Sequence, residues 1–195
     1  MNKTQLRKLY LEKRNLLTPD DCKVKSKFIA DNFFNFPEFN LSQLLYLHIY
    51  LPIIGKKEID TFIILKELTQ NFPNIKVALS KSNFTDCSMR FYEYTQETKL
   101  IENAYGIPEP DAGNRIIRPD QLDLVLVPLV SVDESGNRIG YGKGFYDRFL
   151  TNCRPDCKKI GLSFEKPVPQ IIPDELDVPL DFCITPEQVY DFRKV

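Results

Sequence analysis

Residues 134–149, ESGNRIGYGKGFYDRF, gather bare backbone and positive charge in one place. Four of the chain's eight glycines (Gly136, Gly140, Gly142, Gly144) fall within nine positions, with Arg138 and Lys143 among them. Successive glycines let main-chain N–H groups converge on an anion. The aromatics of FYDRFLTNC then recur at helical spacing (Phe145, Phe149; Tyr146, Leu150), so a helix start would add partial positive charge at the same point. A lysine at that end opposes the helix dipole unless an outside anion offsets it, and Arg138 can offer phosphate a forked contact. The chemistry that fits is phosphate binding; the plainer alternative is a flexible surface hairpin with solvated cations. The stretch is neither a Walker A loop nor a dinucleotide fingerprint. Asn137 stands where the first Walker glycine belongs, Gly144 follows Lys143 in place of Ser or Thr, and Lys-Gly follows the Gly-x-Gly.

Asp147, one turn into the expected helix, either satisfies the dipole or binds magnesium. Magnesium needs only one or two carboxylates besides waters and phosphates. Asp181 in VPLDFCIT is a candidate second acid, although spacing does not favour it over Asp174 or Asp177. His48 is the only histidine and lies in an alternating strand pattern, which argues against a His-dependent triad. The five cysteines (Cys22, Cys87, Cys153, Cys157, Cys183) are odd in number and scattered. Cys153 and Cys157, four apart, raise a metal reading but lack two further ligands, so buried free thiols are expected.

Several elements must position these groups. Residues 3–17 read as a helix with an apolar stripe of Leu6, Leu9, Leu16 and Leu17, and Lys3, Arg7 and Arg14 on another face. Thr18 as N-cap and Pro19 at the first position open a second helix to about Phe34, and a third starts near Asp60 or Thr61. Strands are expected in QLLYLHIYLP, IKVALS, RFYEY, DLVLVPLV, KIGLSF and FCIT, with DLVLVPLV inside a parallel sheet. The prolines from Pro167 to Pro186 mark an ordered loop. Strands alternating with helices predict a single α/β domain over 1–195, a three-layer α/β/α sandwich with a mostly parallel sheet. With 26 Lys plus Arg against 27 Asp plus Glu, the net charge of −1 argues against a nucleic-acid partner. No apolar run suggests a membrane span, and the charged N-terminus has no signal-like core, so a cytoplasmic, monomeric protein is expected.

DLVLVPLVSVDESGNRIGYGKGFYDRFL resembles the signature of the 5-formyltetrahydrofolate cyclo-ligases, or methenyltetrahydrofolate synthetases. KTQLR, YLPIIGKKEIDT, YGIPEP and LDVPLDFCIT resemble flanking elements of that family in the same order, from residue 3 to about 187. The resemblance implies a fold shared with ribose-phosphate isomerases and CoA transferases. It also implies use of ATP and Mg2+ to convert 5-formyltetrahydrofolate to 5,10-methenyltetrahydrofolate, the formyl oxygen being phosphorylated before N10 closes the ring. By that resemblance Lys3, Arg7, Arg138, Gly140, Gly142, Lys143, Gly144 and Tyr146 contact ATP, with Lys143 and Arg138 catalytic. Glu58, Tyr105, Ile107, Tyr141, Gly142, Lys143, Gly144 and Phe145 border the small-molecule folate, and Asp147 and Asp181 hold the metal. Tyr141 stands where many relatives carry Arg or another small-loop residue, Phe145 replaces a commoner tyrosine, and PLVSVD differs from the usual Pro-Gly-x-x-Phe-Asp, with Leu129 at the glycine position. Two other readings keep the loop: a sugar-phosphate isomerase or CoA-binding enzyme on the same fold, and a non-catalytic folate- and nucleotide-binding module.

Overall fold

The computed structural model describes residues 1–53, 55–111 and 113–193. Helices α1 (Lys3–Leu16) and α2 (Pro19–Asn35) each start on a capping box, Asn2 with Gln5 and Thr18 with Asp21. Strand β1 (Tyr46–Ile49) leads to α3 (Phe62–Asn71), β2 (Lys76–Asn83) and β3 (Ser88–Glu93). Short strands β4 (Leu100–Glu102), β5 (Pro108–Pro110) and β6 (Ile116–Ile117) precede β7 (Leu124–Pro128) and the hairpin β8 (Ser131–Val132) and β9 (Arg138–Ile139). Helix α4 (Phe145–Leu150), β10 (Lys158–Leu162), β11 (Phe182–Ile184) and β12 (Val189–Asp191) complete the order.

Eight strands form one sheet in the order β12-β11-β10-β7-β1-β2-β3-β6. Pairing is parallel from β11 through β2 and antiparallel at the edges. The apolar run of β7 explains its central place, because both faces are covered. Leu124 and Leu126 join the core beneath α2 and α3, whereas Val125 and Val127 meet Phe91, Phe149 and Leu150 on the α4 side. These two cores are the interfaces of a three-layer α/β sandwich. Among the described residues, no helix is long and apolar enough to cross a membrane.

Helix α1 departs from its expected stripe. It rests on the β8–β9 hairpin, where Leu6, Tyr10 and Leu11 pack with Val130, Ile139, Val168 and Ile171. Leu17 reaches the main core, but Leu16 is 83% exposed. A small hairpin offers a narrower seat than a sheet, and the stripe narrows with it.

His48 is sealed in β1 with its ring edge-on to Phe91 at 5.2 Å and Phe149 at 5.6 Å. Burial drives its pKa from 6.5 down to about 3, against a smaller upward pull from the Leu126 backbone. Because the folded pKa is depressed, unfolded chains take up a proton that folded ones refuse as pH falls from 6.5 toward about 3. This stabilisation is therefore complete above the unfolded pKa and is lost on acidification, by up to about 1.4 kcal/mol per pH unit. Urea unfolding between about pH 4.5 and 7 should show a shallower pH slope for His48→Leu than for the wild type. An identical slope would mean that the imidazole charges inside the fold.

Candidate active site

Strand succession reverses between β1 and β7: the chain runs outward to β2 on one side and to β10 and β11 on the other. In such sheets ligands lie beyond the carboxyl ends of the strands at that switch. A cleft of about 690 Å³ opens there, lined by Tyr50 and Leu51 after β1, Pro128 closing β7, and Ser80 and Ser82 of β2. Lys3, Arg7 and Leu11 of α1 form another wall.

The glycine loop enters the cleft from a pinned turn. The buried Asp133 carboxylate accepts from the N–H groups of Ser135 (3.0 Å), Asn137 (2.8 Å) and Ile171 (2.7 Å), and from Asn137 Nδ2 (3.0 Å). This ties the turn to the segment crossing over it. Arg138 follows, buried, with Nη2 donating to Asp147 Oδ1 at 2.5 Å and Nη1 to the Val178 carbonyl. Asp147 Oδ1 also accepts the Val178 N–H at 3.1 Å, so β9, α4 and the 174–178 segment meet at one charge pair.

Arg7 Nε donates to the Gly140 carbonyl at 2.8 Å. Its guanidinium lies 3.4 Å from where a Cβ on Gly142 would be, and Gly142 has φ +89°, so both space and backbone call for glycine there. At Gly140 a Cβ would meet nothing within 4 Å, which leaves that backbone open to a ligand. Lys143 is exposed and forms no ion pair among the described residues. Helix α4 has only six residues where FYDRFLTNC promised more, so its dipole is weak and side chains supply the positive charge.

Lys3 bridges Asp174 Oδ2 at 2.5 Å and Asp177 Oδ2. Burial pulls the Lys3 ammonium pKa down, but the hydrogen bonds to both aspartates outweigh it and raise the value. Burial likewise pushes Asp177 up while Lys3 holds it below the usual carboxylate range.

Also lining the cleft, Glu58 accepts the Tyr141 hydroxyl at Oε1 and the Ile53 N–H at Oε2 (2.6 Å). Burial raises the pKa of Glu58, and those hydrogen bonds and the nearby Arg14 pull it part of the way back. Tyr105 stacks on Phe84 at 4.0 Å between ring centres, and Phe145 meets Phe84 edge-on at 5.2 Å. Ile107 and Tyr146 also line the cleft. Burial is the main cause of the upward pKa shifts of Tyr141 and Tyr146.

The structure thus gathers every sequence-predicted site residue into one cleft except Asp181. Asp181 instead accepts the Lys159 N–H at 2.7 Å and pairs with Lys159 Nζ at 2.9 Å. The reason is topological. Asp181 immediately precedes the parallel strand β11 and so sits at the amino end of the sheet, opposite the cleft. The acids brought in with Asp147 are Asp177 and Asp174, and that strand rule, applied to the sequence, would have favoured them. Sequence reasoning also missed Phe84, Asp133 and the reach of Arg14. The Leu129 departure is absorbed by packing against Gly161, where an added Cβ would lie 2.6 Å from its side chain.

A parallel-centred α/β/α fold whose switch-point cleft combines cations, carboxylates and aromatic rings defines an enzyme-like ligand site. Comparisons make it specific. The model of the 5-formyltetrahydrofolate cyclo-ligase family matches residues 1–186. A 5-formyltetrahydrofolate cyclo-ligase of Escherichia coli is 27% identical over 184 residues, covering 93% of this chain and 98% of its own. The solved 5,10-methenyltetrahydrofolate synthetase of Aquifex aeolicus superposes with a TM-score of 0.81 at 29% identity, over 99% of this chain and 94% of that one. The Mycoplasma pneumoniae 5,10-methenyltetrahydrofolate synthetase gives 0.74 at 26% identity, over 95% and 99%. The chain belongs to the 5-formyltetrahydrofolate cyclo-ligase family, and it is an enzyme.

Replacing Asp133 with Ala strands the buried Ile171 N–H and takes the acceptor from the Ser135 and Asn137 N–H groups, and urea unfolding should show a loss of about 1–3 kcal/mol. A change below about 0.5 kcal/mol would show that water takes over those bonds.

Proposed function

We propose that the enzyme uses ATP and magnesium to convert 5-formyltetrahydrofolate to 5,10-methenyltetrahydrofolate, releasing ADP and phosphate. One juxtaposition carries this reading: the cationic glycine loop and the group of Glu58 and aromatic rings line a single cleft. The formyl oxygen accepts the γ-phosphoryl group, N10 attacks the formyl carbon, and the oxygen departs with phosphate. An amide-like oxygen leaves poorly and a phosphorylated one leaves readily, so the protein's work is positioning and charge stabilisation.

Lys143, which forms no ion pair among the described residues, is the loop cation placed to meet the transferring phosphoryl group. Lys3 and Arg7 approach the polyphosphate from α1, and the backbone of Gly140–Gly144 approaches it from the loop. Arg138 borders the same space but is already engaged, so it holds Asp147 and the loop in register. Glu58 accepts hydrogen bonds from the pterin ring, which lies among Tyr105, Ile107, Tyr141, Phe145 and Tyr146.

Asp147 and Asp177 fit a magnesium ion: both line the cleft, and they are engaged through Oδ1 and Oδ2 respectively, leaving the second oxygen of each available. No group of three or more His, Cys, Asp or Glu suited to a metal occurs among the described residues, but an ion completed by phosphates and water needs none. When bound, the ion would neutralise charge on the phosphoryl oxygens.

The test follows the near-ultraviolet absorbance of methenyltetrahydrofolate with purified protein, 5-formyltetrahydrofolate, magnesium and ATP. Product only when ATP is present supports the proposal, and no product under any condition overturns it. Lys143→Ala should lower kcat/KM on the order of 100-fold with an unaltered melting temperature. Unchanged turnover would remove Lys143 from the phosphate site. Asp177→Asn should shift the magnesium titration of activity to higher concentration, whereas Asp181→Asn should not. The reverse pattern would return the metal to Asp181.

A further inference from the structure

Arg14 does not line the cleft, yet its side chain is only 12% exposed. Nη2 donates to the Leu129 carbonyl at 2.7 Å and Nη1 to the Tyr141 hydroxyl at 3.0 Å. Nη1 also stands 3.9 Å from Glu58 Oε1, the atom that accepts the Tyr141 hydroxyl. A carboxylate has about four lone-pair sites, and Tyr141 and the Ile53 N–H occupy two on Glu58. The rest remain for a ligand in the cleft that Glu58 lines.

We infer that Arg14 is a positioning residue: it fixes the Tyr141 hydroxyl and, through it, turns the Glu58 carboxylate toward the hydrogen-bond-donating edge of a bound pterin. This rests on the folate reading above. Docking of α1 does not require Arg14, since Leu6 sits in the hairpin core and Arg7 holds the Gly140 carbonyl. Two cations face Glu58, Arg14 from α1 and the exposed Lys56 from its own loop. Tyr141 of the glycine loop, Tyr50 after β1 and Tyr146 of α4 complete its surroundings, all three with raised pKa values chiefly through burial, so they stay neutral. Arg14 is thus the buried charge that, behind the Ile53 and Tyr141 hydrogen bonds, offsets part of the rise that burial imposes on Glu58. Without it the acid protonates at higher pH and loses acceptor capacity.

The experiment measures 5-formyltetrahydrofolate binding by calorimetry without ATP, and steady-state kinetics across pH, for wild type, Arg14→Gln, Arg14→Lys, Tyr141→Phe and the Arg14→Gln/Tyr141→Phe double variant. Arg14→Gln should weaken folate binding about tenfold or more while moving the KM for ATP and kcat by less than about threefold. The acidic limb of kcat/KM for the folate should move to higher pH. Arg14→Lys keeps the charge but loses the fork, so it should hold that limb near the wild-type position despite weaker binding. The double variant should bind no worse than its weaker parent, because both changes cut one chain of contacts.

Wild-type folate affinity and pH profile in Arg14→Gln would overturn the inference, as would equal losses for both substrates in step with a lowered melting temperature. Should Arg14→Gln fail to fold, Tyr141→Phe decides, since it leaves α1 docked; wild-type affinity there also overturns the inference. A wild type that binds the folate without turnover would count against the catalytic proposal alone and leave the Arg14 effect measurable by calorimetry. A wild type that binds no folate overturns both.

Discussion

A guanidinium withdrawn from water must find its partners within the protein, and Arg138 finds them in two other parts of the chain. Asp147 comes from α4 and the Val178 carbonyl from the segment before β11. Breaking one side of such a buried pair leaves the other charge uncompensated, which is costlier than losing an ordinary contact. The pair therefore fixes both ends of the 139–144 loop, with β9 on one side and α4 on the other. The loop's exposed lysine and open backbone can face a ligand because their supports do not move with them.

The same logic governs the cleft's charge. Lys3, Arg7, Lys56, Arg138 and Lys143 line it together with Glu58, Asp147, Asp174 and Asp177, so the site is close to balanced before any ligand enters. The whole chain is balanced too, which is why composition gave no hint of a basic face. Under the proposed function, attraction for a polyphosphate arises locally, from Lys143, which forms no ion pair among the described residues, and not from the cleft's total charge. Being near neutrality overall, the cleft pairs most of its charges, Lys3 with Asp174 and Asp177 and Arg138 with Asp147, and main-chain donors help fix the carboxylates.

The large elements were legible because their signals are long. Thr18-Pro19 set the start of α2, and the unbroken apolar run of β7 announced a strand covered on both faces. The short pieces β4, β5, β6, β8, β9 and β12 have two or three residues each, too few to show a period. Arg138 to Tyr146 stood out through glycine and charge, whereas no spacing or motif singled out Asp133, although its carboxylate organises the turn. Asp177 was hidden for another reason. Local spacing cannot say at which end of a sheet a residue lies, and only the direction of β11 separates Asp177 from Asp181. Arg14 read as one more cation on a helix side, since its partners lie on two segments distant in sequence.

Strand β1 pairs with β2 on one flank and with β7 on the other, and β10 and β11 can add only once β7 is in place. The bond between Lys3 and Asp177 spans 174 residues. During synthesis the first helix can therefore settle on the 130–140 hairpin before this bond to Asp177 is able to close. Closing so long a loop costs entropy that no local contact returns early. A product truncated or stalled before Asp177 would consequently carry the first wall of the cleft without its counterpart.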